Sequence, residues 1–298
     1  MASLFLKLSS QRFHCVPKHS PVSDYDVKNL SEFIYNSEKL LVLTGAGIST
    51  ESGIPDYRSE EVGLYSRKRL IPYRPVQHSE FVSDSLIRQR YWLRNYIGWP
   101  TFSKKKPNIT HLSLTRLEVK KKLVCIITQN VDNLHFKAES KNVIELHGTA
   151  FKVKCLNCGM ITDREVFQDT LRKLNSEILI ENCVTNPDGD VDVDESLEKQ
   201  FTVPDCHNCG GILQPDIVFF GGNIPKERHA YVEKNVDDCD SLLVLGTSLS
   251  VFSSYRILLR AHERNKSIAI INIGSTRGEK FASLKINGRC GEILPLVC

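Results

Sequence analysis

The feature that most constrains this chain is one local event that recurs four times. A short apolar run stops abruptly at small or hydrogen-bonding residues: LLVL (40–43) into TGAGIS, LVCII (123–127) into TQNVD, SLLVL (241–245) into GTSLS, and SIAII (267–271) into NIGS. Runs of four or five apolar residues without alternation fit strands buried on both faces, which is how parallel sheets covered by helices read. In such open sheets, ligands sit beyond the carboxyl ends of the strands. Four ends of this kind predict an α/β fold, a Rossmann-like parallel sheet with a nucleotide crevice.

Amphipathic spacing predicts helices over 26–36, 85–97 and 254–263. No second strand with a terminal acid for a ribose is legible in 53–77, so that stretch reads as a mobile cover over the ligand. The chain has 298 residues, 41% hydrophobic and 25% charged, enough for a core that needs no covalent staples. No apolar run approaches the roughly 20 residues of a membrane helix, so no membrane role is expected.

The formal net charge is +4, and three of those units sit on Lys7, Arg12 and Lys18, ahead of the first acid at Asp24. The body is nearly neutral, which gives no nucleic-acid footprint. The acid-free start, with Leu4, Phe5, Leu6 and Leu8, has the composition of a mitochondrial targeting segment, expected at 1–22. The other reading of it is a frayed terminus.

Ten cysteines are present, four of them as CLNC (155–158) and CHNC (206–209). Two Cys-x-x-Cys pairs complete a tetrahedron around one zinc ion. Cys155, Cys158, Cys206 and Cys209 fill the shell and leave no position for a catalytic water, so the zinc is expected to be structural. They place an inserted zinc-binding module at 151–215, between two parts of the sheet domain at 23–150 and 216–298. The acidic run NPDGDVDVDESLEK fails the calcium-loop pattern, since Val193 and Lys199 stand where glycine and glutamate are required. It reads as a solvated loop.

Other motifs allow chemistry without requiring it. Gly45 and Gly47 let the backbone approach a pyrophosphate, and 48–52 can open a helix whose amides favour anionic oxygens, with Ser49 adding a hydroxyl. A plain strand-to-helix turn is the alternative. Asp56 and Arg58 either orient a cofactor or pair with each other. Asn130 and Asp132 can read a carboxamide or cap a helix. His147, in ELHG at the end of an extended run, is either a general base or a structural histidine.

Together, GAGIS, GIPDYR, TQNVDNLH, ELHG, the two cysteine pairs, PDIVFFG, GTSLSV and NIG stand in the order of the sirtuin family. The resemblance runs from about residue 25 to the end. IPDYRSEEVGLYSR, RQRYWLRNYIGWP and LKINGRCGEILPLV look most like its mitochondrial sirtuin-4 subgroup. The resemblance implies an NAD-dependent protein lysine deacylase of the mitochondrial matrix, with NAD as co-substrate, one structural zinc, and acyl-lysine proteins or peptides as partners. The acyl oxygen attacks the nicotinamide ribose carbon, nicotinamide leaves, and a ribose hydroxyl deprotonated through His147 completes transfer to O-acyl-ADP-ribose.

It assigns the pyrophosphate to Gly45, Ala46, Gly47 and Ser49, and nicotinamide to Ile54, Asn130, Val131 and Asp132. Asn130 is also placed beside His147 in the catalytic pair. Asp56, Tyr57 and Arg58 close over the ribose, and Gln129 contacts its hydroxyls. Gly246, Thr247 and Ser248 meet phosphate and ribose; Asn272, Ile273, Gly274 and Cys290 lie toward adenosine.

Tyr57, a mild change, and Gly222 depart from the family's common pattern; Phe252 and Ser253, where deacetylases usually place a proline and a small residue, argue against acetyl-lysine as the preferred substrate. Tyr91 and Arg94, three apart on the 85–97 helix, resemble the pair that binds acidic acyl groups in desuccinylating sirtuins. A charge-assisted bond from Arg94 to an acyl carboxylate predicts preference for acidic or branched acyl-lysine; a solvated basic face shared with Arg88 and Arg90 is the alternative. Mono-ADP-ribosyl transfer, or removal of lipoyl or biotinyl groups, would use the same site. A non-enzymatic NAD sensor is the reading from a different class. Oligomeric state is not legible.

Overall fold

The computed structural model describes residues 15–66, 74–178, 185–193, 198 and 200–298. Residues 1–14, most of the expected targeting segment, lie outside them, as do parts of the acidic run. All four apolar runs are strands: β1 (Leu40–Thr44), β2 (Leu123–Thr128), β7 (Ser241–Leu245) and β8 (Ser267–Ile271). Two short strands, β3 (Val143–Glu145) and β9 (Leu284–Ile286), complete a parallel sheet of order β3-β2-β1-β7-β8-β9.

Register explains why the strand ends converge. Thr44 is level with Thr128 on one side and Leu245 on the other, and Leu245 is level with Ile271. The four polar clusters therefore emerge along one edge. Both faces of the sheet are covered. Leu40 and Val42 join Leu30 of α1 (Asp24–Asn36), Leu114 of α4 (Ile109–Val119) and Ile293 of α9 (Cys290–Val297) in one apolar cluster. Leu41 and Leu43 face Val232 of α7 (Lys226–Asp238) and Leu258 of α8 (Phe252–Glu263) in the other. Each leucine so buried contributes about 1.5–3 kcal/mol.

Helix α1 starts two residues before its expected position because Ser23 and Asp26 form a capping box. Asp26 N–H donates to Ser23 Oγ at 3.1 Å, and Ser23 N–H to Asp26 Oδ2 at 3.0 Å. The turn after β1 is a 3₁₀ helix, Ala46–Ser52, rather than the expected opening of an α-helix; Gly53 at φ 75° ends it. Helix α8 begins at Phe252, and no membrane-length apolar helix occurs among the described residues.

A second, smaller unit is antiparallel: β4 (Gly148–Cys155), β5 (Ile161–Asp163) and β6 (Leu213–Ile217), in order β5-β4-β6. It shares a core with α2 (His78–Ser83) and α3 (Ser85–Phe102). Phe81, Trp92 and Tyr96 pack there with Val153 and with Phe167 of α6 (Arg164–Leu174). Arg164, 2% exposed, stacks over Trp99 at 4.6 Å and Trp92 at 5.3 Å while donating to Gln168 Oε1 at 2.8 Å. The rings and the amide oxygen offset the desolvation of a guanidinium with no carboxylate hydrogen-bonded to it among the described contacts.

The solvated-loop expectation for the acidic run is overturned where it is described. Asn186, Asp190 and Val191 are 1%, 5% and 2% exposed. The chain there crosses α3 so closely that a Cβ on Gly98 would lie 2.1 Å from the Gly189 carbonyl oxygen. A backbone path that grazes a helix cannot stay in solvent, and it carries Asp188 and Asp190 inward.

Candidate functional site

The glycine turn brings three strand ends together. Gly45 N–H donates to Leu245 O, Gly47 N–H to Gly246 O at 2.9 Å, and Gly246 N–H to Ile271 O at 2.9 Å. A Cβ on Gly47 would stand 2.8 Å from the Gly246 oxygen; Gly246 itself has φ 57° and would place its Cβ 2.6 Å from Ile48 N. Neither position tolerates a side chain without moving backbone.

In front of these turns opens a cavity of about 1540 Å³. Nearly all the candidate residues line it. At one end are Ala46, Gly47 and Ser49, with Gly246, Thr247 and Ser248, and beyond them Asn272, Ile273 and Gly274. In the middle stand Ile54, Asp56, Tyr57 and Arg58, facing Gln129, Asn130, Val131, Asp132 and His147. Tyr91 and Arg94 close the far end. Apart from the four cysteines, two candidates are not on this wall. Gly45 is behind it, bonded into the sheet edge. Cys290 is 7% exposed and borders a small adjoining pocket with Asn272 and Gly288.

Both readings of several motifs turn out to describe one residue. Asp132, 4% exposed, accepts from Ser49 Oγ at 2.6 Å and from Leu134 N–H at 3.0 Å, so it orders the cavity wall and the start of α5 (Leu134–Lys137) together. Burial pushes its carboxyl up, opposed by the Ser49 bond. Asn130 Nδ2 donates to Gly45 O and Ser49 Oγ, both at 3.1 Å. Gln129 Nε2 donates to Thr44 O at 3.2 Å and Thr247 Oγ1 at 3.1 Å. Asp56 and Arg58 do not form an ion pair. Asp56 accepts the amides of Arg58 and Ser59 at 3.0 and 2.8 Å, folding its own turn, while Arg58 lies over Tyr65 at 5.5 Å.

His147 sits just before β4, where the two sheets meet. Its Nδ1 is 3.1 Å from the Gln129 carbonyl, which can only accept, so Nδ1 carries the proton. That leaves Nε2 as the basic lone pair, facing the Ser253 hydroxyl at 2.9 Å. Burial pushes the imidazole down to about 4, so it is neutral near pH 7. Ser253, noted in the sequence only as a departure, is thus a direct partner of this ring, 106 residues away in the chain.

At the far end, Tyr91 is 6% exposed in a ring cluster with Phe81 and Phe219. The basic face of α3 divides its work. Arg88 donates to the carbonyls of Phe81 and Val82, Arg90 pairs with Glu198 at 2.8 Å, and Arg94, whose buried Nε has no hydrogen-bond partner among the described residues, lines the cavity. Asp188 and Asp190 line the same end. Burial raises both carboxyls, with mutual repulsion adding to Asp190 and Arg94 opposing in each case. Sequence reasoning missed this pair because its acidity signals solvent.

The four cysteines converge. Their sulfurs all lie within 4.8 Å of one another, with Cys155–Cys209 at 3.5 Å and Cys158–Cys206 at 3.8 Å. Zinc–sulfur bonds of about 2.3 Å require sulfurs roughly 3.8 Å apart, so the set fits a structural zinc. The amides of Asn157 and Cys158 point at Cys155 Sγ, 3.4 and 3.5 Å away, as ligand-orienting donors.

Comparison with known proteins agrees with this geometry. The Sir2 family pattern matches residues 45–253. The chain is 47% identical to the NAD-dependent protein deacylase Sirt4 of Drosophila melanogaster, over 98% of this chain and 93% of that one. It is 51% identical to the mitochondrial NAD-dependent protein lipoamidase sirtuin-4 of Homo sapiens, over 95% and 89%. A solved Sir2 structure with a p53 peptide and NAD+ superposes with a TM-score of 0.70 at 30% identity, covering 91% of this chain and 96% of the other. The chain belongs to the Sir2 family.

Proposed function

We propose that the protein is an NAD-dependent protein lysine deacylase whose reaction runs along the large cavity between the parallel sheet and the cysteine-bound unit. The observation that carries this reading is the continuity of that cavity from the glycine turn, past His147, to Arg94. When bound, NAD supplies the ribose carbon that receives the acyl oxygen, with nicotinamide as leaving group.

The chain's own residues divide the rest. The backbone at Ala46, Gly47 and Gly246–Ser248 borders the pyrophosphate. Asn130 and Asp132, held by Ser49, orient the carboxamide beside Ile54. The Gln129 carbonyl fixes the His147 tautomer, and Nε2 accepts the proton of a ribose hydroxyl that displaces Ser253 as its partner. A base already neutral at pH 7 needs no prior deprotonation. Cys290 acts from beneath the adenosine end by packing, since its thiol is held up at about 12 by burial.

We place the zinc-fixed module at 151–215, inserted between the sheet-domain parts 23–150 and 216–298; the four gathered cysteines support that division. The names of the human and bovine relatives support a mitochondrial setting, and we assign the matrix. Partners are acyl-lysine proteins. The acyl preference is for acidic or branched groups, received by Arg94 beside Tyr91.

The test is a panel of acyl-lysine peptides with NAD, read by mass spectrometry for O-acyl-ADP-ribose, with wild type and His147→Tyr. Equal NAD consumption by both would remove the reading. A modified protein instead of acylated ADP-ribose would replace it by ADP-ribosyl transfer. Lipoyl-lysine belongs on the panel, because two relatives near half identity are named lipoamidases.

A further inference from the structure

The segment just ahead of α1 does not hang free of the site. Pro17 borders the small pocket beneath the adenosine end, together with Gly47, Asn272 and Gly288, and both Pro17 and Lys18 line the main cavity. The segment is anchored to the sheet domain on one side. Val22 N–H donates to Glu292 Oε1 at 3.2 Å, and His19 Nε2 lies 3.3 Å from Glu292 Oε2. The absence of a side chain on Gly288 makes room for Val22, since a Cβ there would stand 2.6 Å from Val22 Cγ1. On the other side, Lys18 Nζ reaches Glu61 at 3.0 Å, and Glu61 belongs to the loop that begins with Asp56 and Arg58. Residues 17–22 therefore bridge the two lips of the crevice: the adenosine floor and the cover over the ribose.

We infer that Pro17 and Lys18 are part of the dinucleotide site, Pro17 as the outer wall of the adenosine subsite and Lys18 as a latch that holds the cover loop closed through Glu61. This rests on the NAD-binding reading above. Lys18 has a second effect of the same sign. It sets a cation at the rim of a crevice that receives a pyrophosphate dianion, and it offsets the charge of Glu61, which lines the same crevice. The consequence is that the chain's grip on NAD depends on residues that precede the first helix of the fold. Processing of the N-terminal region on either side of Pro17 would produce two forms with different cofactor affinity.

The experiment uses the full chain with Lys18→Glu, Glu61→Lys, the double reversal, and a variant with residues 16–19 replaced by glycine and serine. Binding of ADP-ribose is measured by calorimetry, and KM for NAD is measured separately from kcat. Each single reversal is expected to weaken ADP-ribose binding about threefold, in line with an exposed ion pair. The double reversal should regain most of that loss, and the 16–19 replacement should raise Kd about tenfold with kcat unchanged or higher. Trypsin cleavage after Lys18 should slow when ADP-ribose is added to wild type. Wild-type binding with unchanged Kd in every variant, or a double reversal no better than the singles, overturns the latch and leaves the NAD reading standing. No ADP-ribose binding by wild type would sink that reading instead.

Discussion

The two units of this protein solve the problem of holding a shape by different means. The parallel sheet is self-sufficient: β1, β2, β7 and β8 are apolar almost throughout, and both faces bury leucine, isoleucine and valine against helices. The smaller unit has three strands, two of them of three and five residues. It fills its core by borrowing α2 and α3, by stacking Arg164 among tryptophans, and by gathering four cysteines. A sheet of that size cannot exclude enough water alone. The difference teaches where each kind of damage should fall, and the site lies on the seam.

The largest effect should come from the metal. Structural zinc contributes about 10–16 kcal/mol of folding free energy in small zinc peptides, so chelation, or Cys206→Ser, should unfold the smaller unit. Hydrogen exchange is expected to lose protection in β4–β6 and α6 while β1, β2, β7 and β8 keep theirs. If the sheet strands open at the same chelator concentration, the two units are one cooperative body and the contrast fails.

Next is the seam itself. His147→Ala should lower kcat about 10²–10⁴-fold, the range for a general base, with both units still folded and zinc still bound. Circular dichroism and zinc content check the second half. A loss of zinc in this variant would mean that the ring props the junction between the sheets.

Leu243→Ala reverses the first experiment. Leu243 is fully buried in the middle of β7, and truncating such a residue costs about 2–5 kcal/mol. Denaturant melting should show that loss in the sheet, with the zinc stoichiometry of the folded fraction unchanged.

These contrasts also explain what could be read in advance. The sheet was legible because a parallel strand buried on both faces writes its burial into every residue, as at 241–245. Of the smaller unit, the cysteine pairs were legible but the strands were not, because they are half-polar and their core is shared with α3, some 50 residues earlier in the chain. Segment 185–191 was misread for a sharper reason. Composition equates acids with solvent, whereas Asp190 is buried beside Asp188 and Arg94 and satisfied by Asn186 Nδ2. Of the site, the motif residues that border the cavity could be named in advance, but the partners that hold them could not. Nothing local marks Ser253 as facing His147 or Glu61 as facing Lys18.

Acid should separate the regions more gently. His135 lies against the sheet, donating to or accepting from Thr44 Oγ1 at 3.1 Å, and burial pushes its imidazole down to about 3. Above pH 6.5 it is neutral in both folded and unfolded chains and adds no pH dependence. Below 6.5 the unfolded chain binds a proton that the folded one refuses, so stability falls with pH by about 1.4 kcal/mol per unit for this group. Asp188 and Asp190, held up by burial, have the opposite sign and regain stability as pH falls through their folded values. The contribution of His135 is isolated by following the stability of wild type relative to His135→Asn from pH 6.5 to 5.5. A flat difference would mean that the ring is protonated in the fold.

The smallest effect should be the most informative about substrate. The cofactor end of the cavity belongs to the sheet and the acyl end to the smaller unit, so a change at Arg94 should alter which acyl group is removed without altering KM for NAD. A carboxylate there would meet the Arg94 guanidinium beside two carboxyls that burial pushes up, Asp190 more than Asp188, with a hydrogen bond between them. Removing the guanidinium takes away the charge-assisted bond, so Arg94→Ala should reduce the kcat/KM ratio of glutaryl-lysine to acetyl-lysine by about tenfold, near 1.4 kcal/mol. Asp190→Asn should leave that ratio within about threefold, because an amide still donates. Asp190→Ala should lower it further. If instead Arg94→Ala raises the ratio, Asp188 and Asp190 are ionised once their cation is gone, the far end of the cavity selects against acidic chains, and the acyl preference must be read from its apolar wall at Tyr91 and Phe219.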